Sequence, residues 1–348
     1  MGGLTTNRLF VLLHDYFKVY LPNVKKYSPN TVRSYQKAVE LLLDYVKAVR
    51  HIKLYEITFD MIDRAALTNF LDSLENERKC GVTTRNHRLH SIHAFYKYAA
   101  ETDMDAVAYW DDIKKVKAAK TSEAVVGYMS EAAVETLLVE PDVSTKKGLR
   151  DMFLMLFLYQ TGARIQELLD IRLCDIHWGT APTVTLRGKG EKPRAVPVRE
   201  KAVEHLKKYT ALFHPNEANY SEQYLFFVLR SGKKKRMTED NARKLIRKYG
   251  NSARQKSYDI PACVHPHLFR HSRAMHLYQH GVNLELISQW LGHSRLETTL
   301  IYAYADTEHK RKAIENAIPD EGTLKLHLNA QRFQIDDDEI LKQLCGLK

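Results

Sequence analysis

His267-Leu268-Phe269-Arg270-His271, then Leu291-Gly292-His293-Ser294, then Thr298-Thr299-Leu300-Ile301-Tyr302: these three segments collect histidines, an arginine and a tyrosine within about one helical hairpin's length. A further piece lies about a hundred residues upstream, Thr161-Gly162-Ala163-Arg164-Ile165-Gln166-Glu167-Leu168. Together they describe a cationic pocket for a phosphate, with a tyrosine as nucleophile.

Breaking a phosphodiester with a side chain has three needs: a positioned nucleophile, stabilised charge on the non-bridging oxygens, and a protonated leaving oxygen. Tyr302 suits the first. Its phenol ordinarily titrates near 10, so it needs a base or nearby cations. Arg164 and Arg270 suit the second, because a guanidinium stays charged and matches phosphate oxygens bidentately. His293 can donate a further hydrogen bond. Lys189 suits the third, since an ammonium on a hairpin turn can reach the departing 5′ oxygen. His267 can act as general base or hold the pocket's hydrogen bonds.

At these residues the chain resembles the tyrosine recombinases, also called the lambda-integrase or phage-integrase family, over nearly its whole length. That family's site combines an arginine in TGxRxxEL, a hairpin lysine, an H-xx-R pair, a His or Trp after a glycine, and a tyrosine nine residues later. Arg164, Lys189, His267, Arg270, His293 and Tyr302 stand at those places in that order. Glu167 matches the family's acidic position and, one helical turn from Arg164, can orient its guanidinium. Taken singly, each has an ordinary reading: a surface arginine, a turn lysine, a core tyrosine. The joint match carries the expectation. One departure lies beside the nucleophile. Many relatives follow the tyrosine with Thr-His, whereas this chain has Tyr302-Ala303-Tyr304, which makes Tyr304 a rival.

His265, His267, His271, His276 and His280, with Cys263 just before them, raise a metal question. His276 and His280 share a helix face, a spacing that can suit zinc. No HExxH or paired CxxC frames them, and the arginines already supply positive charge. The expectation is no metal and no cofactor.

The chain has 348 residues and a formal net charge of +11, spread along its length. That length suggests two domains, and that charge favours a polyanion such as a phosphate backbone. No apolar run approaches the ~18 residues of a membrane span; Met152 to Tyr159 reads as a core helix. The N-terminus has no secretory pattern, and Cys80, Cys174, Cys263 and Cys345 are scattered, so a reduced, cytoplasmic protein is expected.

The expected fold is mainly α with a small β-hairpin or sheet. The resemblance implies an α-helical, SAM-like core-binding domain over residues 1–110 and a mostly helical catalytic domain over 128–348. A lysine-rich linker is expected over 111–127. Ser28-Pro29 should cap a first helix with Val32, Tyr35, Val39, Leu42, Leu43 and Val46 inward. A second is expected from Asp60 to about Leu74. A third should start near Thr83, with Leu89, Ile92, Phe95 and Tyr96 on one face. Ser130 should open another. Thr183–Val198 reads as a hairpin around Arg187-Gly188-Lys189-Gly190-Glu191-Lys192, with helices resuming to the end.

DNA contacts are expected from Thr31 and Arg33, from Thr84, Arg85, Asn86 and Arg88, and from Lys235 and Arg243 on a third basic surface. Asp336-Asp337-Asp338-Glu339 precedes an apolar stripe of Ile340, Leu341 and Leu344, a helix over about 336–347; in relatives such a helix docks on a neighbouring protomer. The resemblance implies a recombinase acting through a 3′-phosphotyrosyl intermediate and a Holliday junction on double-stranded DNA with inverted-repeat sites. It implies two protomers per site and four in the synapse, accessory factors being left open. Integration and excision of a mobile element is the main expectation. Chromosome-dimer resolution of the Xer type, type IB topoisomerase-like strand passage and a catalytically dead DNA-binding accessory protein are the alternatives.

Overall fold

The computed structural model describes residues 7–121, 127–188, 193–293 and 295–305, together with Lys342. The chain divides into two compact units, Met1–Ala124 and Val125–Lys348. Both are mostly helical, with small antiparallel sheets in the second. Among the described residues, no helix is long and apolar enough to cross a membrane.

In the first unit, α1 (Arg8–Asp15) runs into a π-helical stretch, Tyr16–Val24, ahead of the first helix expected from the sequence. That helix is α2 (Pro29–Arg50). The Thr31 amide donates to Ser28 Oγ at 3.2 Å and Pro29 sits at the start, where its missing N–H costs nothing. Val32, Val39, Leu42, Leu43 and Val46 are buried as their spacing predicts. The next helix, α3 (Arg64–Asn76), starts later than Asp60, because a 3₁₀ turn at Phe59–Met61 intervenes and Asp63 caps the helix, accepting from the Ala66 amide. α4 (Val82–Thr102) buries Leu89, Ile92, Phe95 and Tyr96. α5 (Val107–Ile113) corrects the expected linker. Ile113 and Val116 are buried in this unit's core, so 111–116 belong to it. A charged surface face hid that pattern, since only two apolar residues in the stretch point inward.

In the second unit, α6 (Glu131–Leu138) is capped by Ser130 as expected. α7 (Lys146–Thr161) is the central helix. Phe153, Leu154, Met155, Phe157 and Leu158 are fully buried, burial worth roughly 1.5–3 kcal/mol for each such side chain. It leads through Gly162 into α8 (Ile165–Asp170). β1 (Ile176–His177), β2 (Thr183–Leu186) and β3 (Arg194–Pro197) form an antiparallel sheet, with Val184 opposite Val196 and Leu186 opposite Arg194. α9 (Glu200–Phe213) follows. Helices do not simply resume: β4 (Phe227–Arg230) and β5 (Lys233–Arg236) form a second hairpin around Ser231 and Gly232, both at positive φ, as a type I′ loop requires. α10 (Glu239–Lys256), α11 (Pro266–Gln279), α12 (Leu284–Leu291) and α13 (Glu297–Ala305) complete the unit. α11 packs on α7, α12 and α13, which brings the C-terminal motifs to the Thr161–Leu168 turn. The expected helix at 336–347 lies outside the described residues, apart from Lys342.

Candidate active site

α7 stops because Gly162 takes a left-handed conformation, φ 60°, which other residues adopt only at a cost. The chain then turns, and Arg164 caps α8 with extended backbone. The Arg164 amide donates to Glu167 Oε2 at 3.0 Å and its guanidinium donates to Glu167 Oε1 at 2.9 Å. The expected pairing of Glu167 with Arg164 is therefore present, but it is not the whole arrangement. Arg194 donates to the same carboxylate through two nitrogens, 2.6 Å to Oε2 and 3.2 Å to Oε1, and through Nε to the Trp290 carbonyl at 2.9 Å. The Glu167 side chain is 3% exposed. Burial alone would raise its pKa, yet hydrogen bonds from Arg194 and Arg164 hold it below the ordinary carboxylate range.

Sequence reasoning missed Arg194. A signal existed: two residues before buried Val196, it falls on the same inward face of β3. An arginine at an inward strand position needs partners, and Glu167 and the end of α12 supply them.

Arg270 is buried on α11. Its Nη1 donates to the Gly162 carbonyl and its Nη2 to the Leu291 carbonyl, each at 2.8 Å. The C-terminal ends of α7 and α12, where carbonyls carry partial negative charge, thus cradle one guanidinium. Desolvation, then the charge of Arg164, pushes Arg270 down to about 10, which leaves it cationic at neutral pH. Three guanidiniums, Arg164, Arg194 and Arg270, therefore face one carboxylate, and two positive charges remain for an anion.

α12 ends at Gly292 and His293 follows. His293 Nδ1 lies 2.8 Å from Thr299 Oγ1 on α13. Desolvation and the charges of Arg270 and Arg164 push it down to about 4, so it is neutral at pH 7. His267 stands at the start of α11, exposed, lowered by desolvation and by His265 and Arg270. Tyr302, on α13, is 1% exposed. Its hydroxyl lies 3.0 Å from Nδ1 of His271, a residue the sequence placed only in a histidine cluster. Burial, partly offset by Arg270, pushes Tyr302 up to about 12. Desolvation, then His267 and Arg270, pushes His271 down to about 4.

Arg164, Glu167, His267, Arg270, His293 and Tyr302 are thus linked by contact or by mutual charge. Lys189 and the side chain of Tyr304 lie outside the described residues. Two other histidines of the cluster take protein partners: His276 Nδ1 lies 2.7 Å from the Tyr159 hydroxyl, and His280 Nδ1 lies 2.6 Å from the His276 carbonyl.

Two of the residues expected to contact DNA have protein partners. Arg85 is buried and pairs with Glu75 at 3.0 Å. Asn86 donates to the Ala119 carbonyl at 2.8 Å and accepts its amide at 3.0 Å. Both hold the first unit together, because they face inward on α4. Arg33, Thr84, Lys235 and Arg243 are exposed. Thr31 is half-buried against Ser28, and half-buried Arg88 donates to the Ser34 carbonyl at 3.2 Å.

Comparison with known proteins gives a family match over most of the chain. The phage integrase family matches residues 127–309, and the phage integrase N-terminal SAM-like domain matches residues 14–102. The integrase/recombinase y4rC of Sinorhizobium fredii is 29% identical over 328 residues, 94% of this chain and 95% of that one. Tyrosine recombinase XerC of Myxococcus xanthus is 30% identical over 312 residues, 88% of this chain and 97% of that one. Among solved structures, XerH site-specific recombinase bound to palindromic difH substrate, a post-cleavage complex, shares the fold with a TM-score of 0.66 at 20% identity, covering 88% of each chain.

Proposed function

Since this chain belongs to the phage integrase family and is therefore a tyrosine-type site-specific DNA recombinase, we propose that it cuts and rejoins DNA with Tyr302 as nucleophile. Tyr302 attacks the scissile phosphate, forming a 3′-phosphotyrosyl bond and freeing a 5′ hydroxyl. The bond energy is kept in that linkage, so strand exchange needs no external energy source. The partner strand's 5′ hydroxyl then attacks, and two rounds pass through a Holliday junction.

The observation that carries this reading is the convergence of Arg164 and Arg194 on one buried carboxylate, with Arg270 lying between that group and a buried tyrosine whose proton affinity it lowers. Arg164 and Arg270 bind the non-bridging oxygens. Glu167, itself anchored by Arg194, holds Arg164 in place, and the cradle of carbonyls holds Arg270. His293 donates to the phosphate, and Lys189 protonates the leaving 5′ oxygen. The pocket's charge is permanent at neutral pH because it rests on arginines, while its histidines stay neutral until an anion arrives.

Double-stranded DNA with inverted-repeat sites is the substrate, held by two protomers per site and four in the synapse. XerH bound to a palindromic substrate supports the inverted-repeat site by analogy, and a lambda integrase tetramer bound to a Holliday junction supports four protomers in the synapse. Arg33, Thr84, Lys235 and Arg243 are the described residues best exposed to contact DNA, and Thr31 and Arg88 add weaker candidates. Integration and excision of a mobile element is the role we favour. Similarity to XerC supports chromosome-dimer resolution as the second reading.

The decisive experiment traps the covalent complex on a nicked suicide substrate and maps the linked peptide. Tyr302→Phe should bind DNA normally and form no adduct. Adducts that persist in Tyr302→Phe and vanish in Tyr304→Phe would transfer the role to Tyr304. Lys189→Ala should be rescued in part by a 5′-bridging sulfur, which leaves without protonation, and absence of selective rescue would remove Lys189 as the acid.

A further inference from the structure

The nucleophile's proton must go somewhere as its oxygen bonds to phosphorus. Water is an unsuitable acceptor, because Tyr302 is 1% exposed. Among the described residues, the side chain within hydrogen-bond distance of its hydroxyl is His271, at 3.0 Å through Nδ1, with the two rings 5.9 Å apart and inclined at 58°. His267 is the other imidazole on this face of α11, one turn earlier. It is exposed and makes no hydrogen bond to a described residue.

We propose that His271 is the base of the cleavage step, its Nδ1 taking the phenolic proton of Tyr302 as the phenolic oxygen attacks phosphorus. This rests on Tyr302 being the nucleophile. The neutral ring carries its own proton on Nε2 and leaves the Nδ1 lone pair for Tyr302. In the forward step the Tyr302 O–H bond breaks and an N–H bond forms at Nδ1. The Oη–P bond forms, and the P–O5′ bond breaks with its electron pair on O5′, which is protonated by the acid. In rejoining, the phenolic oxygen leaves and recovers its proton from Nδ1, so His271 is restored for the next round.

The groups facing His271 are His265, His267 and Arg270 from α11 and its approach, His293 from the loop before α13, and Tyr302 itself. Desolvation, with the Arg270 charge added, keeps the ring unprotonated in the free protein, as a base must be. The proton therefore stays on the phenol until a substrate phosphate brings negative charge and the forming O–P bond strips the phenolic oxygen of its basicity.

The test is single-turnover adduct formation on the suicide substrate from about pH 6 to about pH 9.5. His271→Asn keeps a hydrogen-bonding atom near the position of Nδ1 but cannot carry a proton. It should bind DNA like the parent and form adduct on the order of 10²–10⁴-fold more slowly. The deficit should narrow as pH rises, and a fluorinated, more acidic tyrosine at position 302 should recover much of the rate. His267→Asn should show no such narrowing. Unchanged or faster cleavage in His271→Asn would make the contact a mere latch and overturn the proposal. So would a deficit equal at every pH and untouched by the fluorinated tyrosine, which marks a structural role. If His271→Asn fails to fold, the fluorinated series in the parent protein decides. A rate nearly flat against phenol acidity supports a base, whereas a rate rising in proportion to free phenolate overturns it. A parent adduct mapped to a residue other than Tyr302 defeats the nucleophile assignment as well, and is thereby distinguishable from failure of His271 alone.

Discussion

Glu167 shows what a single residue does in this site. A carboxylate 3% exposed would be costly alone, and it is tolerated because Arg164 and Arg194 both bond it. Its folded pKa is depressed, so its contribution to stability is present above the unfolded carboxylate value and is lost as pH falls through the folded one. Glu167→Gln should therefore cost about 3–5 kcal/mol at pH 7, the range for breaking a buried pair. The gap between parent and variant should shrink below about pH 4, where Glu167 begins to be protonated in the unfolded chain. Urea unfolding at about pH 7 and about pH 3 measures both, and a gap independent of pH would refute the ionic role. Arg164, Glu167, His267, Arg270, His293 and Tyr302, which the structure links, were named from the sequence because their types and order match the family's pattern, while Lys189 lies outside the described residues. Arg194 and His271 fall outside that pattern. Arg194 gains its partners only when β3 meets the end of α12, and His271 meets Tyr302 only when α13 folds onto α11. The protein partners of Arg85 and Asn86 were hidden for the same reason. A polar residue near a helix start looks solvent-facing until its neighbours are known.

Among the elements, the end of α7 does two jobs. Gly162 stops the helix, and its carbonyl holds Arg270. A Cβ there would meet Leu291 Cδ2 at 3.0 Å, in addition to the positive φ. Gly162→Ala should cost about 1–2 kcal/mol from the backbone alone, lower the Tm by several degrees, and slow cleavage through misplacement of Arg270. Gly232→Ala is the control. It also has a positive φ, but a Cβ there has no neighbour within 4 Å. It should lose stability and leave cleavage rate unchanged. Equal cleavage in the two variants would show that Gly162 is only a helix stop. The helices were legible from caps and 3.6-residue spacing, as α2 and α4 show. The β4–β5 hairpin was hidden because its second strand is Lys233-Lys234-Lys235-Arg236, a charge run with no apolar alternation. The Ser231-Gly232 turn was its one local signal.

For the whole molecule, assembly on DNA is the property to test. The stripe Ile340, Leu341 and Leu344 follows four acidic residues, outside the described part of the chain. We expect it to dock on the adjacent protomer. Burying three such side chains is worth about 1.5–3 kcal/mol each before the cost of ordering the tail. Deletion from Asp336 onward should leave half-site binding intact and reduce cooperative occupancy of a paired site in a gel shift. Undiminished cooperativity would place the stripe on its own protomer or nowhere. The buried hydroxyl of Tyr302 bears on fidelity. A nucleophile covered to 1% exposure is inert toward the phosphates that a basic protein meets at random. Uncovering it costs free energy that random encounters do not return, whereas a matched site with all its partners in place can offset it. Discrimination between right and wrong DNA should then be larger in cutting than in binding. Such an enzyme can scan a chromosome through weak, frequent contacts and leave it unbroken.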